Sequence, residues 1–344
     1  MKKILRICKL NLYKLYILIR CFGKRKRRVY FFHIPVNSNM GDQAIIYTEK
    51  MFVKKYLSNC KRIEIPYYLE DRDFNFLVHL IKPTDLILIQ GGGSLGDLYP
   101  KEDLRTQNII KTFVNNKIII MPQTITYRNS EKSEQLKKMA IDTFSKHPNL
   151  VICAREKISY DIMCKLFPKN KILLVPDMVF SFNYSKQYTR KHEILFLLRN
   201  DFEKRISDNE MNFLIQKIEQ KNISYCIYDT FLDDYFLIKK TYPFLRKKRL
   251  FQLLKKCAQS QLIITDRLHG MIFSFLTHTP CYVFENINHK IRGVHAWISD
   301  TNAIKLVSTA EEVDFQILNQ KHIWTSQQKL NRQFQKLVKE MDIE

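Results

Sequence analysis

Glycine is scarce in this chain, at 8 residues of 344, and proline stands at 10. So little of either leaves no room for long low-complexity linkers. The eight cysteines form no CxxC pair and no paired metal spacing, and several lie inside apolar runs such as "VICA" and "YCIY". They read as buried free thiols of a reducing cytosol, not as a disulfide scaffold. No HExxH or comparable pattern is present, so the chemistry is expected to need no bound metal. Near the start no uninterrupted apolar run exceeds Leu15–Ile19. That is too short for a signal-peptide core or a membrane span. Acidic residues are also in short supply: 34 Asp and Glu against 57 Lys and Arg give a net charge of +23.

That excess is uneven. Residues 1–28 hold eleven Lys and Arg and no Asp or Glu, so 23 − 11 leaves +12 for the other 316 residues. On a helical wheel, Lys2, Lys3, Arg6, Lys9, Lys14 and Arg20 share one sector, with Leu, Ile and Tyr filling much of the rest. "KRKRR" follows. A basic amphipathic helix before a polybasic run reads as an anchor on an anionic membrane surface. An inert solvated arm and a nucleic-acid tail are the weaker readings, and no nucleic-acid partner is expected. The chain is expected to be cytoplasmic and peripheral on the inner face of the membrane.

Beyond the arm the length suits two domains. Short β-branched runs alternate with amphipathic stretches: Val29–Pro35, Arg62–Tyr68, Asp85–Gln90, Lys117–Gln123, Leu150–Arg155 and Lys171–Asp177 read as strands with helices between them. The polar stretch Ser181–Glu193 reads as a linker, after which the pattern restarts at Ile194–Arg199, Ser224–Asp229, Leu262–Thr265 and Cys281–Glu285. The expectation is α/β: two doubly wound Rossmann-like domains, 29–184 and 185–344, facing a cleft in a GT-B-like architecture, the second closed by a terminal helix over Thr325–Met341. Ligands in such sheets bind beyond the carboxyl ends of the strands.

Six of the eight glycines gather at three such places: Gly41 in "NMGDQA", Gly91, Gly92, Gly93 and Gly96 in "IQGGGSLGD", and Gly270 in "DRLHG". Glycine there admits positive φ and close backbone approach to a ligand, and a following helix start offers N–H groups to an anion. "GGGSLGDL" lacks the ending of a phosphate-binding Walker loop and departs from GxGxxG, so no dinucleotide cofactor is expected. Charged and polar residues end the other strands: Asp42, Gln123, Arg155 with Glu156, Asp177, Arg199, Arg267 with His269, and Lys290. Each alone could be a cap or a local ion pair. Together they describe a site for a small, highly charged anion, with Arg gripping phosphate or carboxylate. His269 is the natural general acid, histidine being the side chain that changes charge between pH 5 and 8. Arg267 and His269 can point to one side if the "DRLHG" turn stays extended, with Gly270 opening the next helix.

"NSNMGDQAI", "LILIQGGGSLGD", "IIIMPQTI", "VICAREKIS", "VPDMVF", "TDRLHGMIFSFLTHTPCYVFEN" and "NHK" occur in the order and approximate spacing of polysaccharide pyruvyl transferases, which this chain resembles over roughly Val29 to Ile298. "DRLHG" with the later "TPCYVF" is the most specific part. The resemblance implies transfer of a pyruvyl group from phosphoenolpyruvate to two hydroxyls of one sugar, in a polysaccharide or its lipid-linked repeat unit. A cyclic ketal and phosphate result, in exopolysaccharide or capsule biosynthesis. It implies no cofactor beyond phosphoenolpyruvate as co-substrate. It assigns Arg155, Arg267 and the backbone near Leu268 to the donor, less securely Arg199 and Lys290, and His269 to the general acid. Asp177 becomes the base or acceptor-orienting group, with Asp42, Gly41, Gly91–Gly93 and Gln123 lining the cleft. The rivals are a GT-B glycosyltransferase that grips a nucleotide sugar with the same cations and a non-catalytic carbohydrate- or lipid-binding subunit on the same fold.

Overall fold

A computed structural model describes residues 2–23, 27–200, 204–231, 243–285 and 290–341, and of 2–7, 9, 243 and 244 the backbone alone. Met1, the Lys24–Lys26 part of the polybasic run, and Asn288 and His289 ahead of Lys290 therefore lie outside the described residues.

The chain forms two compact units. The first comprises 1–36, 49–175 and 336–344, the second 37–48 and 176–335. The division differs from a single boundary after residue 184. The segment after the first strand joins the second unit, and the last helical turns return to the first.

In the first unit the strands are β1 (Arg28–Ile34), β2 (Lys61–Pro66), β3 (Leu86–Ile89), β4 (Gly92–Gly96), β5 (Lys117–Thr126), β6 (Leu150–Ala154) and β7 (Lys171–Leu174). All pairings are parallel, in the order β2-β1-β3-β5-β6-β7, with β4 beside β5. The reason lies in the sequence. "LILI" of β3 and "LVICA" of β6 are buried at every position, as a sheet covered on both faces requires. Each such Leu, Ile or Val contributes about 1.5–3 kcal/mol on leaving water. The order reverses between β1 and β3, because the chain leaves β1 for one side and returns on the other. That is a topological switch point, where an open α/β sheet holds ligands.

The glycine run does not lead straight into a helix. It forms the added strand β4, with Gly92 facing Gln123 and Gly96 facing Thr126 on β5, and the next helix begins only at Pro100. Gly96 has φ +95°, and a Cβ there would lie 2.8 Å from the Thr126 carbonyl carbon. Gly96→Ala therefore combines backbone strain with a backbone clash. It is expected to cost on the order of 2–4 kcal/mol, read from the urea midpoint at unchanged slope. An unchanged midpoint would show that β4 can move aside.

The second unit holds β8 (Glu193–Leu197), β9 (Ser224–Tyr228), β10 (Leu262–Thr265), β11 (Cys281–Phe284) and β12 (Ile304–Val307). They pair in parallel in the order β12-β11-β10-β8-β9. Its switch point lies between β8 and β10. "IKLV" of β12, with its two middle residues only half-buried, is the strand that periodicity did not disclose. The Leu268–Leu276 helix is buried from Gly270 onward, as an apolar run interrupted by Ser274 alone demands. Two doubly wound parallel sheets are thus what the sequence pattern predicts. The terminal helix is two short ones, Gln327–Gln333 and Gln335–Met341.

Candidate active site

The "DRLHG" segment leaves β10 at the switch point of the second sheet. The Thr265 hydroxyl donates to the Leu197 carbonyl at 2.6 Å and accepts from the Arg267 N–H at 3.0 Å, bracing the exit from β10. Arg267 is extended and forms the N-cap, and the helix opens at Leu268, not at Gly270. His269 is thus already helical, and its alignment with Arg267 does not come from an extended turn. Gly270 serves a different purpose from opening the helix: a Cβ there would lie 3.0 Å from Thr265 Cβ. Its bareness lets the first helical turn sit on the strand end.

His269 is enclosed by two neighbours of the same unit. A Cβ on Gly41 would lie 2.7 Å from His269 Cγ, so the ring rests against the bare backbone at the start of helix α2 (Met40–Tyr56; α1 is Lys2–Cys21). On another side Asp177 Oδ2 stands 3.7 Å from His269 Nε2. Asp177 is only 1% exposed and caps the following 3₁₀ turn through Oδ1, which accepts from the Val179 N–H at 3.0 Å. Capping and facing His269 are both realised, one by each carboxylate oxygen. Among the described residues His269 Nε2 is buried and makes no hydrogen bond.

What holds Gly41 there is a run of short polar links. Asn39 Oδ1 accepts from the Gly41 N–H at 3.0 Å, Asn37 Oδ1 from the Asn39 N–H at 3.2 Å, and Asn37 Nδ2 donates to Asp42 at 3.2 Å. Such Asn turns are why "NSNMGD" is rich in amides. The Met40 N–H donates to the Thr230 carbonyl at 2.8 Å, just past β9. Asp42 occupies the first turn of α2, where the helix dipole favours a negative charge.

Two acids absent from the sequence-based assignment organise the cations. Asp229, at the end of β9, takes Arg267 in a fork: Nε donates to Oδ1 at 2.9 Å and Nη2 to Oδ2 at 2.6 Å. Asp266, 1% exposed, accepts from the backbone N–H of Arg199 at 2.9 Å and of Arg205 at 3.2 Å. Burial pushes its carboxyl up from the usual carboxylate range, and the two N–H groups partly oppose the shift. Both acids end a strand pattern, and Asp266 stands inside "TDRLHG" itself, so the signal was available. Lys290 begins the Lys290–His295 helix.

The remaining candidates form a group in the first unit. Gln123 Nε2 donates to the Gln90 carbonyl at 2.7 Å and to Ser94 Oγ at 3.2 Å, while its Oε1 accepts from the Ser94 N–H at 3.0 Å. Its amide is thus engaged in folding the glycine loop. The Gly91 N–H donates to Glu49 at 2.9 Å, and a Cβ on Gly91 would lie 2.7 Å from the Pro122 carbonyl oxygen. Gly92 has φ +137°. Arg155, 3% exposed, donates from Nε to the Thr124 hydroxyl at 2.8 Å. Its neighbour Glu156 caps the next helix, accepting from the Ser159 N–H at 2.9 Å.

A further cluster at the end of β1 was not anticipated. His33 has φ +62° and is buried. Its Nδ1 meets Glu70 at 2.8 Å, its Nε2 meets the Thr106 hydroxyl at 2.9 Å, and its backbone N–H donates to Glu70 at 2.7 Å. Both ring nitrogens are engaged, so the cluster fixes the strand end beside the switch point.

Comparison with known proteins accords with these motifs. The sequence profile of polysaccharide pyruvyl transferases matches residues 39–289. General stress protein 30 of Bacillus subtilis is 31% identical over 316 residues, 91% of each chain. Pyruvyl transferase 1 of Schizosaccharomyces pombe is 27% identical over 289 residues, 79% of this chain and 70% of that one. An uncharacterized protein of Klebsiella pneumoniae shares the fold at a TM-score of 0.56 and 20% identity, over 88% of this chain and 98% of that one. The motif segments from "NMGD" through "DRLHG" fall within the matched stretch, and this chain belongs to the polysaccharide pyruvyl transferase family.

Proposed function

We propose that this chain transfers the pyruvyl group of phosphoenolpyruvate to two hydroxyls of one sugar residue and leaves a cyclic ketal and phosphate. The acceptor is a polysaccharide or its lipid-linked repeat unit. The chain works as a peripheral protein at the inner face of the cell membrane, held there by residues 1–28. No cofactor enters this reading. The observation that carries it is the pairing at the second switch point: His269 beside Asp177, with Arg267 two residues away.

The reaction follows from those groups. Protonation of the donor's methylene carbon by His269 leaves an oxocarbenium-like centre. The first sugar hydroxyl attacks it and yields its proton to Asp177. The C–O bond to phosphate breaks, Arg267 stabilises the leaving charge, and the second hydroxyl attacks the same carbon as its proton leaves with the phosphate. Arg199, Lys290 and the Leu268 backbone assist donor binding. Gly41 and Asp42 shape the acceptor side.

The test combines the purified chain, phosphoenolpyruvate and the polysaccharide. Phosphate release matched by a new ketal methyl signal in the proton NMR spectrum is expected. A hexose gained from a nucleotide sugar, with no ketal, would overturn the proposal in favour of glycosyl transfer. Asp229 adds a prediction. Asp229→Asn removes half of the fork that orients Arg267. It should lower kcat/KM for phosphoenolpyruvate about tenfold or more, the size of one charge-assisted hydrogen bond, through both a raised KM and a lowered kcat. A lowered KM would instead mean that Asp229 competes with the donor for Arg267.

A further inference from the structure

Among the described residues, α1 is docked by one side only. Tyr13 donates to the Glu64 carbonyl at 3.1 Å, Arg20 to the Arg62 carbonyl at 3.3 Å, and Lys14 pairs with Asp73. Ile17 and Cys21 are buried against the core of the first unit, with Leu10 and Tyr13 packed beside them. The basic positions Lys14 and Arg20 therefore share the docked side, and the other side is uncovered and, Asn11 apart, carries apolar residues over 12–19. Leu12 is 66% exposed, Ile19 63% and Phe22 87%, with Leu15, Tyr16 and Leu18 exposed between them. Leu12, Leu15, Tyr16 and Ile19 follow the i, i+3, i+4, i+7 spacing of one helical stripe. No helix among the described residues is long and apolar enough to cross a membrane.

We propose that this stripe lies in the interface of an anionic lipid surface, with the apolar row among the acyl chains and the arm's cations at the headgroups. The contact is made by the leucine face, not by the basic face alone. Charge decides the occupant. Residues 1–28 carry eleven cations and no acid, which attract anionic headgroups. A second copy packing its own α1 on the stripe would bring two such arms together and be repelled. Long basic side chains at the edge of an apolar face can also reach back to the headgroups. The inference deepens the peripheral placement proposed above. It is independent of the pyruvyl chemistry, because its test uses no substrate.

The experiment is co-sedimentation of the full chain with vesicles of phosphatidylcholine alone or with about one-third phosphatidylglycerol, the composition chosen to supply the anionic surface. Binding to the anionic vesicles is expected. Leu15→Glu with Ile19→Glu should reduce it at least about tenfold, given the cost of moving a charge into the apolar layer. Circular dichroism and transfer to a soluble acceptor should be unchanged in that variant. Leu12→Ala with Phe22→Ala, a milder pair, should weaken binding without adding charge. Binding that ignores all four changes would overturn the proposal and leave a purely electrostatic arm. So would a wild-type dimer, seen by light scattering, that the glutamate pair dissociates. Lost transfer with intact vesicle binding would count only against the proposed reaction.

Discussion

His269→Gln is expected to lower kcat by about 10²–10⁴-fold, the usual contribution of a general acid, with KM for phosphoenolpyruvate within about twofold. Glutamine keeps polarity and approximate size but has no proton to give to carbon. The geometry makes the result interpretable. His269 stands at the start of a buried helix, rests on Gly41 and has Asp177 3.7 Å away. Asp177 keeps its capping bond to Val179 whatever occupies position 269. The fold should therefore survive, and an unchanged urea midpoint would document it. Stopped-assay kinetics under donor saturation separate the roles. A raised KM with unchanged kcat would make His269 a binding group and end its assignment as the acid.

The second large effect is expected from a methyl group. Gly41→Ala would place a Cβ 2.7 Å from His269 Cγ and 3.0 Å from Cε1, closer than side chains pack. Either the ring turns or the start of α2 moves. The Asn37 and Asn39 links and the Met40–Thr230 hydrogen bond oppose the latter. A displaced ring should cost about 10²-fold in kcat, as a misplacement near 1 Å does at a reacting centre. The double variant Gly41→Ala, His269→Gln should be no slower than His269→Gln alone, since both changes act through one group. Losses that multiply in that cycle would mean the methyl acts elsewhere.

The sheets were legible because their strands are buried on both faces, and burial leaves a continuous apolar run in the sequence. Leu86–Ile89, Leu150–Ala154 and Leu262–Thr265 are such runs, and the predicted spans around them differ from the observed ones only at the ends. β4 was not legible, because three glycines and a serine around a single leucine carry no side-chain period, and the strand is defined by its backbone pairing to β5. The division into units escaped for a related reason. No composition shift marks residues 36/37 or 48/49, since membership there is decided by which core the segment packs on. Of the candidate site, the strand-end cations and His269 were visible as exceptions to apolar runs. What the sequence did not disclose is which acid meets which cation: Asp229 lies 38 residues before Arg267, and only the pairing of β8 with both β9 and β10 brings the two strand ends near. Gly41 was marked as a ligand-facing glycine, whereas its bareness accommodates His269.

The return of the last helix to the first unit has a consequence for biosynthesis. Leu337 and Met341 are fully buried, and Glu340 pairs with Lys117 and Lys171 of the first unit. A ribosome that has passed residue 175 must still synthesise the whole of 176–335 before those residues exist. At about 5–20 residues per second, that leaves the first sheet missing part of its cover for on the order of ten to thirty seconds. The nascent first unit thus carries an apolar surface through the making of the second, which is the interval in which a chaperone would find it.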